Sequence, residues 1–194
     1  MKDDDPKAIA RRSAFAARKA AHACAIDKIG MATSHLLDVI GPVSDSLTVS
    51  GYLPIRTEID PRPAMTLLHA QGARLCVPVI RGPGERLDFR EWTPHCALVD
   101  GPFGAEVPAD GAWLEPDIVI APLVAFDTHF NRLGYGGGFY DRTLHDLRDR
   151  GHVRAIGFAY AAQQMAELPQ EPTDQPLDQI VTENGPLAAP AKAT

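Results

Sequence analysis

The chain has 194 residues, of which 45% are apolar and 23% charged, proportions that exclude disordered and fibrous classes and leave room for one domain of ordinary size. Acidic residues outnumber basic ones 25 to 19, for a net charge of −6 with no Lys/Arg stripe to offset it, so a nucleic-acid-backbone binder is excluded as the first reading. No run reaches the roughly 18 to 20 unbroken apolar residues of a membrane span, and the start MKDDDPK lacks the order of a signal peptide, so no membrane partner and a cytoplasmic location are expected. Cys24, Cys76 and Cys96 lie far apart without CxxC spacing, which argues for small reduced fillers and not for disulfides or zinc.

Two Ala-rich stretches with interspersed cations, Pro6 to Cys24 and Ile26 to Ile40, predict helices, the second stopped by Gly41-Pro42. Leu47 to Leu53 is a short β-type run. Asp60 is placed to cap a helix whose first turn accepts Pro61 and which ends at Gly72. Arg74 to Ile80 has the pattern of a buried strand, and these pieces make a strand, helix, strand unit of a parallel sheet with a right-handed crossover. From Arg81 to Glu115 the helical period disappears, and Gly/Pro punctuation predicts short strands around Leu87 to Trp92 and Cys96 to Val99. Asp117 to Ala121, bounded by Pro116 and Pro122, reads as a central strand. A loop to Gly138, a helix from Phe139 to Arg150 closed by Gly151, a strand at Val153 to Ala159 and an edge strand at Ile180 to Thr182 complete the pattern, with a frayed tail after Gly185. The fold class expected is a three-layer α/β/α single domain with a mostly parallel sheet, its core spanning about residues 7–184.

The stretch VAFDTHFNRLGYGGGFYDR, Val124 to Arg142, has the order strand, glycine loop, helix. Gly134, Gly136, Gly137 and Gly138 let several amides turn toward one point just before a helix N-terminus, an arrangement that holds phosphate. Arg132 and Arg142 flank the loop, and Asp141 in the first helical turn is placed to face a divalent cation carried by those phosphates. The run does not fit GxxxxGK[ST], and a GxGxxG pattern starting at Gly134 fails because Phe139 takes the third glycine's place.

This stretch resembles the signature of the 5-formyltetrahydrofolate cyclo-ligases, also called methenyltetrahydrofolate synthetases. Tyr52 to Asp60 (YLPIRTEID) resembles the family's substrate-binding strand and turn, and Ala159 to Glu183 its C-terminal segment. The resemblance implies ATP-dependent cyclisation of 5-formyltetrahydrofolate to 5,10-methenyltetrahydrofolate, with Mg²⁺ and with release of ADP and phosphate. It places Lys7 and Arg11 at the family's N-terminal ATP-binding cations, and Arg132, Leu133, Gly134, Tyr135, Gly136, Gly137, Gly138, Phe139 and Tyr140 along the nucleotide. Arg132 and Tyr140 fall nearest the chemistry. Leu53, Glu58 and the run Tyr135 to Phe139 correspond to folate contacts, and Asp141 and Asp178 to the two magnesium-associated carboxylates. The chain departs from the family pattern at Gly137, where some members have Lys, and at Phe139, where Tyr is common. His95 and His129 correspond to no functional position. A non-catalytic folate- or nucleotide-binding protein, and phosphoryl transfer to another small molecule, stay open at this point.

Overall fold

The computed structural model describes residues 5–24 and 28–188. In chain order the elements are α1 (Pro6–Cys24), α2 (Ile29–Ile40), β1 (Thr48–Ser50), α3 (Arg62–Ala70), β2 (Arg74–Ile80), β3 (Leu87–Glu91), β4 (Leu98–Asp100), β5 (Glu106–Pro108), β6 (Trp113–Leu114), β7 (Ile118–Ala121), β8 (Ala125–Phe126), β9 (Arg132–Leu133), α4 (Phe139–Arg150), β10 (Arg154–Phe158), β11 (Gln179–Thr182) and β12 (Gly185–Pro186). Eight strands form one sheet in the order β12-β11-β10-β7-β1-β2-β3-β6. The five from β11 to β2 run parallel, while β12, β3 and β6 pair antiparallel with their neighbours. The expected mostly parallel α/β architecture is the one observed.

Alternation along the strands sends residues to two faces. Val49, Leu75, Val77, Ile118, Ile120, Ile156 and Phe158 join Leu36 of α2 and Met65 and Leu68 of α3 in one core cluster. Cys76, Val119, Ala121 and Ala155 join Leu144 and Leu147 of α4 in the other. β7 is covered on both faces, which is why its sequence is apolar without a break. Helix α1 seats Ala10 and Ala14 on Val124, Ala125, Leu133 and Leu168 and packs Ala21 against the first cluster.

β10 shows how tightly these layers close. A Cβ added at Gly157 would lie 2.6 Å from a methyl of Leu177 and 2.9 Å from one of Leu123, and both leucines are buried. Gly157→Ala is therefore expected to cost about 1–3 kcal/mol of stability, read as an earlier urea midpoint with an unchanged slope.

Two expectations change. The strand at Ile180 to Thr182 is not at the edge, because the chain turns back and pairs Gly185–Pro186 outside it. The tail expected to fray after Gly185 falls for the most part on residues 189–194. Residues 189–194, like the expected start of the second helix at Ile26, lie outside the described residues. The loop between Ala121 and Gly138 contains a hairpin, β8 with β9, organised by the fully buried Asp127. Its carboxylate accepts from the amides of His129, Asn131 and Leu168 and from Asn131 Nδ2. No helix among the described residues is long and apolar enough to cross a membrane.

Candidate active site

A cleft of about 1370 Å³ opens beyond the C-terminal ends of β1, β2 and β7. The connection from β1 leads to β2 on one side and that from β7 to β10 on the other, and in open α/β sheets such a reversal leaves a crevice for ligand. The glycine loop forms one wall and Tyr52 to Glu58 another. Lys7 and Arg11 of α1 and residues 171–175 close a third side, and the tip of the β4–β5 hairpin reaches over it.

Backbone shape determines the glycine loop. Gly136 takes φ +105° and Gly138, at the start of α4, φ +64°, conformations that side chains resist. At Gly136 a Cβ would make ordinary contact with the Arg11 guanidinium at 3.4 Å, so it is the backbone conformation that calls for glycine there. Arg11 Nε donates to the Gly134 carbonyl at 2.9 Å and so joins α1 to the loop. Among the described residues no side chain caps α4 at Gly138, and a helix N-terminus favours an anion. At Gly137 a Cβ would meet the Phe139 ring at 2.6 Å, and Arg142 donates to the Gly137 carbonyl at 2.7 Å with its guanidinium over that ring. The departure from the family pattern thus has a packing reason, and a cation still reaches the loop.

Arg132 leaves β9 into the cleft wall almost fully buried. Its Nη2 donates to Asp141 at 2.7 Å, its guanidinium lies over the Tyr140 ring at 5.5 Å, and its Nε has no hydrogen-bond partner among the described residues. Burial, with the negative charge of Glu58, drives the Tyr140 hydroxyl far above its ordinary value against the opposing pull of Arg132. Burial and the nearby carboxylate thus favour the neutral hydroxyl over the phenolate. Lys7 Nζ donates to both oxygens of Asp174, at 2.9 and 2.7 Å, and lies 3.2 Å from Glu171. Burial lowers its affinity for a proton, but the hydrogen bonds to Asp174 and Glu171 outweigh this and raise its pKa. Across the cleft Glu58 is buried and accepts from the Ile55 amide at 2.9 Å. Burial pushes its carboxyl above the ordinary glutamate value of 4.5, and the Ile55 amide and Arg18 hold it back.

Lys7, Arg11, Leu53, Glu58, every residue from Arg132 to Tyr140, and Asp141 all line this one cleft. Asp178 does not. It precedes β11, at the opposite end of the sheet, where its carboxylate accepts from the Ala155 amide at 2.7 Å and from Arg148 at 3.1 Å. The acids of this segment that line the cleft are Glu171 and Asp174, and the Gln175 amide beside Asp174 donates to Asp141 at 3.2 Å. Asp141 thus shares the cleft with Glu171 and Asp174, and not with Asp178. His95 and His129 stay outside the cleft.

Sequence reasoning also missed Arg18, which is buried behind Glu58. The available signal was spacing: Lys7, Arg11 and Arg18 stand at i, i+4 and i+11 and so share one helix face.

Comparison with known proteins agrees with this geometry. Residues 7–183 match the model of the 5-formyltetrahydrofolate cyclo-ligase family. The 5-formyltetrahydrofolate cyclo-ligase of Escherichia coli K12 is 35% identical over 147 residues, covering 73% of this chain and 80% of that protein. The protein of the same name from Haemophilus influenzae is 33% identical over 155 residues, covering 77% and 82%. Among solved structures, the Aquifex aeolicus 5,10-methenyltetrahydrofolate synthetase superposes with a TM-score of 0.78 at 27% identity, covering 98% of this chain and 96% of that one. With the family model matched along nearly the whole core and the glycine loop, the cations and Glu58 gathered in one cleft, the chain belongs to the 5-formyltetrahydrofolate cyclo-ligase family.

Proposed function

We propose that this chain catalyses the ATP-dependent cyclisation of 5-formyltetrahydrofolate to 5,10-methenyltetrahydrofolate, releasing ADP and phosphate, in the cytosol. The observation that carries this reading is that the glycine loop and the Glu58 wall face one continuous cleft of about 1370 Å³, above the roughly 300–1,000 Å³ of a one-ligand pocket. Donor and acceptor of a phosphoryl group then lie side by side.

The formyl group on N5 is an amide, with a weakly electrophilic carbon and an oxygen that does not leave unaided. Transfer of the terminal phosphoryl group to that oxygen makes it a leaving group. N10 forms the new C–N bond, phosphate departs with the oxygen, and the N10 proton passes to phosphate or water. Little covalent work falls to the protein, which positions the reactants and neutralises charge. Lys7, Arg11 and Arg132 supply cations and the run Leu133 to Tyr140 supplies amides to the nucleotide. Leu53, Glu58 and the run Tyr135 to Phe139 receive the folate, with Glu58 accepting from the N–H edge of its bicyclic head.

The donor set suits Mg²⁺ carried in with the nucleotide. The described residues contain no group of three or more His, Cys, Asp or Glu able to hold a metal alone, whereas Asp141 and Asp174 line the cleft beside the glycine loop, and Mg²⁺ is typically held by one or two carboxylates plus phosphate oxygens and water. Asp141 and Asp174 would hold it there, and when bound it neutralises charge on the transferring group.

Purified protein incubated with 5-formyltetrahydrofolate and MgATP is expected to develop the ultraviolet band of the conjugated methenyl product, with ADP formed in step. Folate-dependent ADP without that band would point to phosphoryl transfer alone and overturn the cyclisation, and the absence of both signals would reject the proposal entirely.

A further inference from the structure

Arg18, in the middle of α1, is 1% exposed. Its Nε donates to Thr57 Oγ1 at 3.1 Å and its Nη2 to the Tyr135 hydroxyl at 2.7 Å, while Nη1 lies 3.8 Å from Glu58 Oε1 without a hydrogen-bond partner among the described residues. Phe15 and Tyr135 lie against the guanidinium, their ring centroids 5.3 and 5.4 Å away. A guanidinium shut away from water is costly unless fixed acceptors and an opposite charge meet it, and one of its donors here is left facing the carboxylate at more than hydrogen-bond length. Simple anchoring of α1 to the core would be served as well by an apolar side chain. This group instead spans two cleft walls that come from distant parts of the chain, Thr57–Glu58 after β1 and Tyr135 in the glycine loop, using a planar fork that Lys does not have.

We propose that Arg18 is a positioning residue that fixes the Glu58 carboxylate by their ion pair and, through the Tyr135 hydroxyl, sets the distance between the folate wall and the glycine loop. The inference rests on the functional reading above, in which Glu58 contacts folate. The groups acting on Glu58 are Arg18 from α1, Tyr135 from the glycine loop and the Ile55 amide, and Glu58 in turn acts on Tyr52 and on Tyr140 of α4. The three tyrosines are all shifted toward the neutral form, so the charge that favours ionised Glu58 is that of Arg18.

The test compares Arg18→Met, Arg18→Lys and Tyr135→Phe with wild type by melting temperature, by KM for each substrate and by the pH profile of kcat/KM for the folate. Arg18→Met is expected to raise the folate KM about tenfold and to move the acid limb of the profile upward by about one pH unit, as loss of a neighbouring positive charge requires. Arg18→Lys returns the charge and is expected to bring the limb back while the folate KM stays raised, since a point charge does not span Thr57 and Tyr135 together. Tyr135→Phe is expected to move the limb upward by less than Arg18→Met does, since its hydroxyl also favours ionised Glu58, and to raise the KM for ATP severalfold. Folded Arg18→Met with wild-type KM and limb overturns the proposal. If Arg18→Met does not accumulate folded, Arg18→Lys with a wild-type folate KM overturns it as well. Wild-type protein that makes no methenyl product rejects the functional reading and this inference with it, so the two failures are told apart.

Discussion

Asp141→Asn is expected to lower kcat by about two orders of magnitude while the protein stays folded. Asp141 stands in the first turn of α4 and accepts from Arg132 at 2.7 Å and from the Gln175 amide at 3.2 Å. The amide side chain keeps the shape and an acceptor oxygen for both donors, so the local structure is retained. The negative charge is lost, and with it both the counterweight to Arg132 and the carboxylate offered to a nucleotide-borne cation. Asp174→Asn is expected to act in the same direction, because that acid lines the same cleft beside Lys7. Asp178→Asn serves as the contrast. It weakens contacts to Ala155 and Arg148 at the far end of the sheet, and is expected to cost about 1 kcal/mol of stability with kcat unchanged. The measurements are kcat and the Mg²⁺ concentration for half-maximal rate, each beside a melting curve. Equal rates in the Asp141→Asn and Asp178→Asn proteins would contradict the assignment.

Asp127→Ala is expected to give a large loss of stability, about 3 kcal/mol or more, which for a chain of this size corresponds to a fall in melting temperature of roughly 6 to 12 °C. The carboxylate is fully buried and receives four donors, from His129, Asn131 (twice) and Leu168, at 2.9 to 3.2 Å. Alanine removes the acceptor and leaves those donors inside the protein without one. Activity is expected to fall further than stability at temperatures below the melt, because the hairpin that Asp127 shapes presents Arg132 to the cleft. Asp127→Asn keeps one acceptor oxygen and is expected to fall between the two. Urea denaturation alongside initial rates distinguishes these, and a midpoint for Asp127→Ala close to wild type would show that the loop is held by other contacts.

The long regular elements were legible because their apolar residues repeat at one period for many residues. Pro6–Cys24, Arg74–Ile80 and Phe139–Arg150 have the bounds read from sequence, and the pattern at Asp117 to Ala121 gave the buried centre of the sheet. The glycine loop was legible for a different reason, its composition. Strands of two residues, such as Ala125–Phe126 and Gly185–Pro186, are too short to show a period and are made by pairing, which the sequence does not display. The choice between Asp174 and Asp178 was beyond local pattern for a related reason. The stretch before β11 has no helix or strand phase to say which acid turns inward, and Asp174 is met by Lys7 from the other end of the chain. Arg18 was hidden because a cation in an Ala-rich helix ordinarily faces water, and only the buried carboxylate opposite explains its place.

The partners of α1 carry a consequence for biosynthesis. Arg11 meets Gly134 across 123 residues of sequence, and Lys7 meets Asp174 across 167. During translation this helix leaves the ribosome well before its seat exists, and closing so long a span is entropically slow compared with local pairing. Its attachment is therefore expected to be a late event. In refolding experiments, recovery of enzyme activity should lag behind recovery of the far-ultraviolet signal, and the interval between them times the return of the amino-terminal helix.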